Sequence, residues 1–153
     1  MGQINWNRVL VGGIIPGIII DVIQWLLNGI VLGGESRQTM LALGRPLQEN
    51  ASTMVFFVGL GLVYGIVIVG LYASVRPRFG AGPKTVLFTA LSVWLLGYCL
   101  PTVTWLPMGL FPRHLVVMAV LVGLVEIIIA TVVGAWLYQE SSTGAGSTVR
   151  QAA

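Results

Sequence analysis

The chain has 153 residues, of which 56% are apolar and only 8% charged, with a formal net charge of +3 and a mean hydropathy of +0.92. A soluble domain carries roughly a quarter charged residues, so this chain lacks the polar groups to cover a water-facing surface. Its single cysteine and single histidine exclude a disulfide scaffold and leave a haem or a His/Cys metal centre without ligands. Eight scattered Lys and Arg residues form no basic stripe for nucleic acid. A small integral membrane protein remains, with the lipid bilayer as its first partner and with no cofactor or metal expected.

Crossing a hydrocarbon core about 30 Å thick takes about 20 apolar residues in a helix. Four segments reach that length: about 9–32, 53–75, 85–106 and 115–138. Their apolar runs are continuous rather than alternating, so the expected fold class is an all-α bundle of four transmembrane helices, not a barrel. Between the spans fall Gly33-Gly34, Gly44-Arg45-Pro46, Pro77, Gly82-Pro83, Pro107 and Pro112, which punctuate connections. The first run follows Arg8 but is too long for a signal core, holds Asp21, Gln24 and Asn28, and meets no cleavage site, so it reads as a retained helix. Ser36 through Gly44 reads either as a short loop helix capped by Ser36 or as an ordinary loop with one helical turn, and residues 139–153 as a disordered tail.

Four spans put both termini and the second loop on one side. That side holds Arg8, Arg76, Arg78, Lys84 and Arg150, against Arg37, Arg45 and Arg113 on the other. The excess predicts cytoplasmic termini.

Helices in lipid associate through small residues and interhelical hydrogen bonds. On the first span Gly13, Gly17, Asp21, Gln24 and Asn28 share an arc of about 80°, and on the fourth Ala119, Gly123, Glu126, Ala130 and Gly134 do the same. Asp21 lies twelve positions from Val9 and Glu126 twelve from Tyr138, so both sit about 18 Å from the same boundary. They are the only acids inside the spans, and no Lys, Arg or His reaches their depth. Equal depth and similar faces predict that the two carboxyls meet. Burial without a basic partner favours neutral acids, and a hydrogen-bonded pair would share one proton. Such a pair either handles a proton or cation alongside Gln24 and Asn28, or only holds helices together.

The second span aligns Gly61, Tyr64, Gly65, Ile68 and Tyr72, a packing face with two phenols. The third aligns Thr85, Thr89, Ser92, Leu96 and Cys99, and Pro101 frees the carbonyl of Gly97 and should kink it. Trp6, Trp105, Trp136 and Tyr138 read as interfacial anchors. His114 reads as a water- or headgroup-facing residue and Cys99 as a packed thiol.

Asn5-Trp6-Asn7-Arg8-Val9-Leu10, Leu43-Gly44-Arg45-Pro46, Arg76-Pro77-Arg78-Phe79-Gly80 and Gly134-Ala135-Trp136-Leu137-Tyr138 resemble a group of small uncharacterised bacterial four-helix integral membrane proteins. The resemblance implies a bacterial cytoplasmic membrane and no activity. The residues support a structural or accessory protein acting through helix faces, with itself or within a larger membrane complex. The alternative is an oligomeric proton- or cation-handling transporter or channel built on Asp21, Gln24, Asn28, Glu126 and Tyr64. An enzyme is not expected, because no base stands beside a Ser or Cys nucleophile within the spans.

Overall fold

The computed structural model describes residues 4–138 apart from Leu47 and Glu49; the tail expected at 139–153 lies outside the described residues. Among these residues there are five helices and no strand: α1 Trp6–Val31, α2 Gly33–Ala42, α3 Ala51–Phe79, α4 Pro83–Val103 and α5 Arg113–Leu137. All but α2 are long and apolar enough to cross a membrane, so the chain is an all-α membrane bundle. The outside of the bundle is apolar too, with Val11, Val55, Leu96, Val125 and Trp136 exposed. Lipid covers such a surface without penalty, and helix association must then come from close packing and buried polar contacts. The end of the bundle where α1 starts and α5 stops is its terminal end, and the opposite one its far end.

Local chemistry sets the helix ends. Asn5 caps α1 by accepting from the Arg8 amide at 3.2 Å, and Asn50 caps α3 by accepting from the Thr53 amide at 2.9 Å. These are the donors a helix start leaves unpaired. Gly80, at φ 82°, ends α3 in a conformation that costs glycine little. Pro77, expected in a loop, lies inside α3. It sits in the last turn, so the amide bond it removes is followed by only two more helical residues.

The closest packing joins α1 to α3. A Cβ on Gly65 would strike the backbone of Gly13 and Gly17, one on Gly13 would meet the Ile66 Cα at 2.6 Å, and one on Gly17 the Leu62 Cα at 2.7 Å. The two backbones touch, which only glycine allows. The α1 stripe therefore serves α3. The α5 stripe faces elsewhere: Gly123 lies under the Tyr98 ring of α4, and Gly134 against Val69 and Pro16.

Three apolar clusters fill the bundle. At the terminal end Val9, Val69, Tyr72, Ala73 and Tyr138 pack together. Ile20, Ile68, Ala90, Val93, Ile127 and Ala130 occupy the middle, and Leu27, Leu32 and Leu115 join α1 to α5 at the far end. Tyr138, expected at the lipid interface, is instead buried. Its ring meets Tyr72 edge-on at 6.2 Å with the Arg76 guanidinium 5.8 Å above it, because α5 ends between α1 and α3 rather than against lipid.

Both α1 and α4 widen into π-helical turns toward the far end, over Leu26–Val31 and Leu95–Cys99. There the Leu32 amide reaches the Leu27 carbonyl at 2.7 Å, and the Leu100 amide reaches that of Leu95. In α4 the cause is Pro101, which has no amide hydrogen and whose ring crowds the Gly97 carbonyl. The wider turn shifts the azimuth of this part of the helix, so Leu96 faces outward while Thr85 and Thr89 of the expected shared face are buried. In α1 the Asn28 side chain takes the Gln24 carbonyl at 3.1 Å, competing with the helix's own amides. The loop helix α2 begins at Gly33, so Ser36 lies within it and is not its cap. Its amide already bonds the Leu32 carbonyl at 2.9 Å.

Candidate functional site

Glu126 anchors a polar cluster at mid-depth. Its side chain is 1% exposed, and its Oε2 accepts from Gln24 Nε2 at 2.8 Å. The second hydrogen of the same amide goes to the Tyr98 hydroxyl at 2.7 Å. Gln24 Oε1 accepts in turn from Asn28 Nδ2 at 2.8 Å. One glutamine thus joins α1, α4 and α5. Tyr98 is in reach because Gly123, three residues before Glu126 and on the same face, leaves room for its ring. Glu126 Oε1 is buried without a partner. In the neutral acid the proton belongs on Oε1, since Oε2 is already accepting.

The expected carboxyl pair does not form. Among the described residues Asp21 makes no hydrogen bond, and its carboxyl group rests on Gly61 of α3, whose Cβ would overlap it. Two features of helix geometry separate the acids. Gln24 is three residues beyond Asp21, so it points about 60° further round α1, toward α5, while Asp21 points toward α3. Side chains also lean toward the N-terminus of their own helix. Since α1 and α5 are antiparallel, Asp21 leans to the terminal end and Glu126 to the far end, where Gln24 meets it.

Tyr64 stands apart from Gln24 and Glu126. Its hydroxyl donates to the Gly97 carbonyl at 2.8 Å, the acceptor that Pro101 releases from the helix ladder. The proline and the phenol are thus two halves of one device holding α3 to α4. Asn28 is exposed and acts only through Gln24. Trp94 adds a further tie, its indole donating to the Val120 carbonyl at 3.0 Å.

Sequence reading missed Tyr98, which carried no signal until α4 was seen packed on Gly123. It also missed the partner of His114, whose Nε2 lies 2.5 Å from Glu35 Oε2 of α2. Both side chains are more than half exposed, so this contact tethers α2 to the start of α5 and is worth less than about 1 kcal/mol. Among the described residues no three His, Cys, Asp or Glu side chains gather to hold a metal. Two surface hollows, one against Asn7, Arg8 and Leu137 and the other against Val86, Val132 and Trp136, are lined by none of the polar cluster's residues. Comparison of the chain with protein-family models, curated proteins and solved structures finds no match.

Proposed function

We propose that the chain is a structural or accessory membrane protein, working through helix-face contacts with itself or a larger membrane complex. One observation carries this reading: the best-connected mid-depth polar side chains, Gln24 and Tyr64, are taken up in joining helices. Both amide hydrogens of Gln24 and the Tyr64 hydroxyl bond to other helices of the bundle, which leaves the outward faces as its means of interaction. A second reading, proton handling, is favoured by the unpartnered Glu126 Oε1.

Gentle extraction from the native membrane followed by native mass spectrometry separates the two. A defined assembly with other subunits is the expected result. A homo-oligomer that conducts protons in liposomes, and stops doing so as Glu126→Gln, would establish the second reading instead. A monomer without flux would overturn both.

For placement we propose a bacterial inner membrane with cytoplasmic termini, supported by Arg76, Arg78 and Lys84 clustered where α3 ends and α4 begins. In a Cys99→Ser background, an impermeant thiol reagent applied from outside should label a cysteine at position 37 and not one at 78. The opposite pattern reverses the orientation.

A further inference from the structure

We propose that Asp21 is the docking point for a transmembrane helix of another protein, one that brings a Lys or Arg side chain to mid-depth. The inference rests on the accessory reading above and names the chemistry of the partner.

The glycine seam of α1 and α3 ends at Asp21 and Gly61. One turn further toward the far end the helices have parted: Trp25 is 64% exposed and Phe57 60%. No residue from 51 to 60 is buried. That half of α3 packs little against the π-helical ends of α1 and α4. The result is a crevice with apolar walls, about 15 Å long at about 1.5 Å per residue, with a half-buried carboxyl group at its foot.

Lipid satisfies the walls, since acyl chains are as apolar as the side chains they touch. It cannot satisfy the carboxyl group, because the hydrocarbon core offers no hydrogen-bond donor. Among the described residues Asp21 has none either, whereas Glu126 at similar depth has Gln24. The occupant therefore brings the donor, and a basic one makes the stronger, charge-assisted bond to a carboxylate and neutralises it. A second copy brings no cation, for the Lys, Arg and His residues of the long helices, at positions 8, 76, 78, 84, 113 and 114, all lie at helix ends. A helix of different sequence with a central basic residue complements the crevice in both charge and apolarity. The long Lys or Arg stem packs on Trp25 and Phe57 while its head reaches Asp21.

The test uses the purified full chain in liposomes, labelled for energy transfer to synthetic Leu/Ala helices of about 20 residues. One helix carries a central Lys, one a Lys near its end, and one no Lys. The central-Lys helix should associate roughly tenfold more tightly than the other two. Asp21→Asn should abolish that preference and Asp21→Glu should retain it, with both variants monodisperse and helical by circular dichroism. Equal binding of all three helices, or an unchanged preference in Asp21→Asn, would overturn the proposal. So would Asp21-dependent self-association that excludes the peptide, which would make a second copy the occupant. The accessory reading stands or falls separately: a native complex that survives Asp21→Asn sinks only the docking site. A monomeric native protein that still selects the central-Lys helix sinks only the accessory reading.

Discussion

Gly65→Ala should weaken the bundle more than any other single-methyl addition. The new Cβ would overlap the Gly13 carbonyl and the Gly17 amide and lie 2.7 Å from the Gly17 Cα. Each of these is backbone, so no side chain can turn aside and α1 and α3 must separate. Overpacking a tight core costs about 1–3 kcal/mol, and this site belongs at the upper end. Gly59→Ala is the matched control, on the same helix with nothing within 4 Å of its Cβ. It should change stability by no more than about 0.5 kcal/mol. Reversible unfolding in mixed micelles measures both variants. Equal losses would mean that the two backbones do not touch.

The second large effect belongs to Gln24. Gln24→Leu removes the bonds to Glu126 Oε2 and the Tyr98 hydroxyl together, leaving a fully buried carboxyl group with neither oxygen partnered. Such an orphan costs about 1–3 kcal/mol. Replacing both members by apolar groups of similar shape removes the need for the bond. The double variant Gln24→Leu, Glu126→Leu should therefore recover most of the loss. A coupling of at least about 1 kcal/mol between the two sites is expected in the same unfolding assay. Additive losses would show that Gln24 supports the fold by packing alone and that the hydrogen bond contributes nothing.

The α3 face of Gly61, Tyr64, Gly65, Ile68 and Tyr72 points inward as its spacing implies, because one helix's periodicity suffices to say which side is small and polar. The partner of that side is another matter. The glycines at 13 and 17 equally suited α3 and α5, and only assembly of the bundle assigned them to α3. Asp21 and Glu126 fell at matching depths by residue counting, yet counting ignores the lean of side chains toward each helix's own N-terminus. That lean, with a rotation of about 60° between positions 21 and 24, exchanged Asp21 for Gln24 as the partner of Glu126. Pro101 is a case in between. Its chemistry foretold a released carbonyl at Gly97, but a phenol from 33 positions away, Tyr64, satisfies it, and no local pattern names that donor.

Composition and the length of the apolar runs by themselves determined that the chain forms four membrane-spanning helices, because the energy of burying backbone and charge in hydrocarbon depends on each segment alone. Which polar groups meet, and which are left without a hydrogen-bond partner among the described residues, was decided only in the tertiary structure. Those outcomes depend on azimuth and register between helices, where a shift of a single residue turns a side chain through about 100°.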